Sequence, residues 1–93
     1  MKRLNKTKLD SFMKKGASII DIRSPVDFRD GNIKNSKNIP AKQFIKAFVS
    51  LDKTKSILLV VNDMPDPDID MIDKYAHILV HDKLWVGTYR DLR

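Results

Sequence analysis

The sequence predicts an α/β domain built on one parallel sheet, and three observations carry that prediction. Apolar runs typical of buried strands, "ASIIDI" at 17–22 and "SILLVV" at 56–61, alternate with amphipathic stretches. Proline and cap residues stand at helix starts: Ser24-Pro25, Pro40 and Asp66-Pro67. Strands joined through helices pair in parallel and are covered on both faces. We expect a single domain with a central sheet of about four or five strands flanked by short helices. A chain of 93 residues supports one core rather than two.

Each element has its own local reason. Thr7 reads as an N-cap with Asp10 three residues on, and Leu9, Phe12 and Met13 follow at i, i+3, i+4. Gly16 suits the stop, so a helix is expected over 8–15. A buried strand is expected over 17–22. Ser24 caps a helix of one or two turns, with Pro25 at N1 and Gly31 allowing a left-handed stop. "SKNI" reads as a short strand, and Pro40 at N1 opens the next helix. There Ala41, Phe44, Ile45, Phe48 and Val49 form a full apolar stripe, with Lys42 and Lys46 opposite. "SILLVV" is the central strand. Asp66 and Pro67 then start a helix in which Ile69, Ile72 and Ala76 face inward, ending about Ala76. "HILV" at 77–80 is expected as the last strand, and the tail "HDKLWVGTYRDLR" has no clear pattern.

Composition limits the function classes. No apolar run approaches the roughly 20 residues of a membrane-spanning helix. The basic start "MKRLNKTKLD" has no apolar stretch behind it, so no secretory signal is expected and cytoplasm is the default. With no cysteine there is no disulfide, thiolate metal site or cysteine nucleophile. All twelve acids are Asp, and net charge is +6. The charge is segregated: residues 2–15 and residues 31–55 are each +5, whereas residues 62–73 hold five Asp and no basic residue. This pattern bears on partners more than on fold.

The block "DIRSPVDFRDGNIKNSKNIP", residues 21–40, resembles the first signature of the rhodanese family. Asp21, Arg23, Ser24, Pro25, Phe28, Gly31, Ile33, Asn38, Ile39 and Pro40 match without a gap. Asp27 stands for the usual Glu, Asn32 for the usual His, and Asn35 for a glycine, a position where Asn tolerates φ > 0. Trp85 matches a tryptophan near the family's C-terminal end, and the second half is shortened. The resemblance implies the rhodanese fold. Read as residues alone, Asp21, Arg23, Phe28, Gly31, Ile33, Ile39 and Pro40 are a structural set.

In active members, the strand matching "SILLVV" delivers a cysteine whose thiolate takes up sulfur, and loop N–H groups cradle the anion. By this resemblance the cysteine position falls at Asn62, or at Asp63 if the strand runs one residue longer. Neither residue forms a persulfide. Pro65 and Pro67 remove two donors, and Asp63, Asp66 and Asp68 put negative charge where an anion would sit. No catalytic residue is expected.

Other chemistry is no better supported. Asp66, Asp68 and Asp70 share the spacing that opens a calcium loop, but Met71 and His77 replace its Gly and Glu. Helix capping and the helix dipole account for these acids without metal. His77 and His81, four apart on a strand, would not chelate, and each is expected on the surface or hydrogen-bonded. No cofactor is expected.

These readings suggest a catalytically inactive module that binds or regulates an unidentified protein. Its binding residues would be loop Asn62, Asp63, Asp66 and Asp68, together with Lys6, Lys8, Lys14, Lys15, Lys42 and Lys46. The alternatives are a small basic nucleic-acid binder or a divergent sulfurtransferase relative that borrows a partner's cysteine. Against nucleic acid, the aromatics are few, Phe12, Phe44 and Phe48 face the core, and the Asp loop repels phosphate. No membrane is implied. Oligomeric state cannot be read from the sequence.

Overall fold

The computed structural model describes all 93 residues. Five parallel strands form one sheet: β1 (Lys2–Arg3), β2 (Ser18–Asp21), β3 (Lys37–Asn38), β4 (Ile57–Val61) and β5 (Leu84–Thr88), in spatial order β1-β5-β4-β2-β3. Five helices connect and cover them: α1 (Lys6–Lys14), α2 (Pro25–Asp30), α3 (Ala41–Ala47), α4 (Pro67–Ile78) and α5 (Tyr89–Leu92). Central β4 is buried along its whole length, as its unbroken apolar run requires. Alternation along the strands splits the core in two. Ile57, Leu59 and Val61 join Phe44, Phe48, Ile69, Ile72 and Ala76 on the face covered by α3 and α4. Leu58 and Val60 join Leu4, Ile19, Ile33 and Leu92 on the other, where Leu9, Phe12 and Met13 of α1 pack. Fully burying such a side chain contributes about 1.5–3 kcal/mol.

Several boundaries differ from expectation, each for a local reason. Asn5, not Thr7, caps α1: its side chain accepts from the Thr7 N–H at 3.1 Å, so the helix starts at Lys6. Pro40 is the N-cap of α3 rather than its first residue. After Ala47 the chain tightens into a 3-10 turn over Phe48–Ser50, and the change of pitch carries Val49 off the stripe to 73% exposure. Gly31 is extended (φ 175), so it provides no left-handed stop; its reason is steric and belongs to the site below. Asn35 does take a positive φ, 69.

The largest correction concerns "HILV". It is not a strand: His77 and Ile78 end α4, and Leu79 caps it. No Gly or Pro interrupts Ile69 to Val80, so nothing stops the helix early. Its end is a paired C-cap: the His81 N–H donates to the Ala76 carbonyl at 2.8 Å and the Val80 N–H to the His77 carbonyl at 3.4 Å. The geometry puts Val80 in the left-handed region (φ 55). The last strand lies instead in the tail, as β5, with Trp85 edge-on to Phe12 at 4.9 Å. The sequence also gave no sign of β1, a charged two-residue edge beside β5. Both sheet edges, β1 and β3, are only two residues long, which limits edge-to-edge pairing.

Candidate functional site

The chain leaves β2 toward β3 on one side and leaves β4 toward β5 on the other. In an open parallel sheet that reversal makes a crevice at the carboxyl ends of the two strands. A small polar pocket of about 200 Å³ lies there, lined by Arg23 and Ser24 after β2 and by Asn62, Asp66 and Asp68 after β4.

One wall is a fixed ion pair. Asp21 ends β2 fully buried, and Arg23 returns to it: Nη2 donates to Asp21 Oδ2 at 2.8 Å and Nε to both oxygens at 3.1 Å. The Arg23 N–H adds a bond to Oδ1 at 2.9 Å. Nη2 also donates to the Gly31 carbonyl at 2.6 Å, and the guanidinium lies 4.3 Å over the Tyr89 ring. Bidentate, charge-assisted geometry of this kind leaves Arg23 few free donors. Asn38 clamps the turn, its Nδ2 donating to the Asp21 and Arg23 carbonyls at 2.9 and 3.0 Å. Glycine at 31 is explained by Tyr89: a Cβ there would meet the phenol oxygen at 2.5 Å.

The other wall is the loop after β4. Asn62, its first residue, is held from both ends. Nδ2 donates to Asp27 Oδ2 at 2.9 Å, and Oδ1 accepts from Arg23 Nη1 at 3.4 Å. A cis bond joins Met64 to Pro65. Asp66 caps α4, its carboxylate accepting from the Ile69 N–H at 3.0 Å, and Asp68 and Asp70 occupy the first turn, where the helix dipole favours them. Asp63 is exposed, with Arg90 at 3.9 Å. The pocket thus holds a committed arginine, a tethered amide and two carboxylates.

The remaining expected residues are scattered. Lys6, Lys8 and Lys14 stand exposed on α1, with Lys15 just after it, whereas Lys42 and Lys46 stand on α3, across the sheet. They do not form one basic patch. Phe28 and Pro40 are half-buried, Ile33 is buried in the α1 face and Ile39 packs against the α3–α4 face. His77 is exposed in the last turn of α4. His81, expected on the surface or hydrogen-bonded, is neither: it is 3% exposed, and neither ring nitrogen has a partner. Sequence reasoning missed Asp27 and Tyr89, which join the site only through tertiary contact.

The family model for the rhodanese-like domain matches residues 5–87. The chain belongs to the rhodanese-like family. Solved structures agree on the fold. A rhodanese-related protein from Thermoplasma volcanium superposes with a TM-score of 0.71 at 17% identity, covering 96% of this chain and 85% of that one. A protein from Staphylococcus saprophyticus gives 0.62 at 12% identity, covering 95% and 85%. The reduced CoADR-RHD of Bacillus anthracis gives 0.64 at 20% identity, with 98% of this chain covering 15% of that one. No curated protein matches the sequence. This rhodanese-like domain contains no cysteine, and no helix in it is long and apolar enough to cross a membrane.

Proposed function

We propose that this rhodanese-like domain is catalytically silent and serves as a protein-binding or regulatory module. The observation that carries the reading is Asn62. It stands directly after the central strand, at the position where the family resemblance calls for the nucleophile, and its amide is tied to Asp27 and Arg23. A carboxamide forms no persulfide, and the tether holds it in place.

Electrostatics supports the same reading. Asp66 and Asp68 line the pocket. A unit negative charge about 8 Å from one carboxylate is repelled by about 2 kcal/mol at an effective dielectric near 20. Arg23, the cation in the pocket lining, is already neutralised by Asp21 at 2.8 Å. An anionic sulfur donor therefore meets net repulsion. What the fold retains is a stable scaffold with segregated surface charge.

The test is partner capture under nuclease treatment, comparing wild type with a bait in which Lys6, Lys8, Lys14 and Lys15 are changed to Glu. A stoichiometric protein lost with the variant supports docking through α1. A protein retained by both baits places docking on another face. Recovery of nucleic acid alone, abolished by salt, would replace this reading with a nucleic-acid-binding one.

A further inference from the structure

Six large apolar side chains of this molecule are open to solvent, and three of them share the outer face of α4. Met71, Tyr75 and Ile78 (46, 40 and 66% exposed) recur there at i, i+4, i+7. At that spacing they make one outward stripe, set apart from Ile69, Ile72 and Ala76, which hold α4 to the sheet. The other three, Val26, Val49 and Val80, lie off that stripe, Val80 on the cleft beside Asp73, His77 and His81. Scattered exposed apolar residues are ordinary; a stripe is not.

Charge says what covers the stripe. Five Asp lie along the approach to α4 and its N-terminal half; Asp63 and Asp73 meet Arg90 and the N-terminal amine and Asp66 caps the helix, which leaves the Asp68 and Asp70 carboxylates for a partner. The occupant must bring both cations and apolar groups. Within this chain, α1 carries exposed lysines but turns Leu9, Phe12 and Met13 to the core, and beside Lys42 and Lys46 only one large apolar residue, Val49, is exposed. A symmetric second copy would have to set one acidic α4 face against another.

We propose that the outer face of α4 docks a basic, amphipathic segment of a partner protein. Lysine or arginine side chains lie over Asp68 and Asp70, and aliphatic or aromatic ones cover Met71, Tyr75 and Ile78. This deepens the non-catalytic reading and rests on it.

The probe is a synthetic amphipathic Leu/Lys helix of about 18 residues, titrated into isotope-labelled domain and followed by amide NMR near physiological ionic strength. A Lys/Ser peptide of equal charge is the control. The expected result is saturable shifts at 71, 75 and 78 with the Leu/Lys peptide only, weakened about tenfold by Ile78→Asp, since burying an isoleucine is worth that much. Ile78 is 66% exposed, so Ile78→Asp should bind more weakly while melting as the wild type does, a split that a purely structural role does not produce. Equal binding of the Lys/Ser peptide, shifts centred on α1 or α3, or a dimer abolished by Ile78→Asp would each overturn the proposal. Sulfur turnover, measured on the same sample, separates the outcomes: turnover removes the underlying reading, whereas absent α4 shifts without turnover remove only this face.

Discussion

Replacing His81 with leucine should stabilise this domain, although most substitutions of a buried residue do the reverse. His81 is 3% exposed, and neither Nδ1 nor Nε2 has a hydrogen-bond partner. A neutral imidazole has one N–H donor and one acceptor, and leaving a buried polar group unpaired costs about 1–3 kcal/mol. Leucine is similar in size, so no large cavity is created. The change sacrifices the tilted ring contact with Phe48 at 5.5 Å, worth about 0.5–1.5 kcal/mol for aromatic pairs. The main-chain bond from His81 to Ala76 that closes α4 is unaffected. The balance favours leucine by about 1 kcal/mol, or a melting temperature higher by about 4–8 °C in a domain of this size. Urea unfolding with an unchanged m-value, alongside a thermal melt, measures it. A loss of stability is the opposite outcome. It would mean that the imidazole is satisfied after all, for example by water entering from the adjacent cavity of about 600 Å³, which Asp73, His77 and Asp82 also line.

Other outcomes follow from the same structure. Arg23→Met leaves the fully buried Asp21 carboxylate without its cation and should cost about 3–5 kcal/mol, part of it recovered in Asp21→Asn/Arg23→Met; chemical denaturation of the two variants beside the wild type decides. Val80→Gly should raise stability by up to about 1 kcal/mol, because relief of the left-handed strain, about 1–2 kcal/mol, exceeds the added chain entropy. Gly31→Ala should destabilise by no more than about 1 kcal/mol, because the half-buried Tyr89 ring can shift its hydroxyl away, and Tyr89→Phe in the same chain should restore part of the loss. The exposed Asp52 carboxyl is held below its usual value of 3.8 by hydrogen bonds from the Thr54 hydroxyl and then the Thr54 N–H. Its stabilising contribution is therefore complete above the unfolded value and lost as pH falls through the lower folded one. An NMR titration should show Asp52 protonating below the usual aspartate range, and Thr54→Ala should bring it back up.

Much of this architecture was legible because its causes are local. Buried β4 declares itself as five apolar residues in a row, and Ser24-Pro25 and Asp66-Pro67 fix two helix starts within a residue. Asp21 and Arg23 lie two apart, so their pairing was within reach of the sequence block. Illegibility begins where contacts are distant or signals conflict. The Asn62–Asp27 bond spans 35 residues, and Tyr89 reaches the site from the tail. "HILV" has strand composition but continues the turn of α4. β5 hides behind Gly87, which propensity counts against a strand; there a Cβ would meet the Leu4 carbonyl at 2.7 Å. His81 shows no sequence sign of burial, because the Phe48 ring packed against it comes from a distant part of the chain.

Whether the loop after β4 is silent is tested most directly by sulfur transfer from thiosulfate by the purified domain, wild type beside Asn62→Cys. No turnover is expected from the wild type, which has no thiolate. None is expected from the cysteine variant either, whose nucleophile would still face Asp66 and Asp68 across a loop that carries Pro65 and Pro67. Turnover by the wild type would contradict the claim outright. Turnover by the variant alone would show that the loop still forms an anion cradle, and that the loss of activity rests on one residue rather than on the whole site.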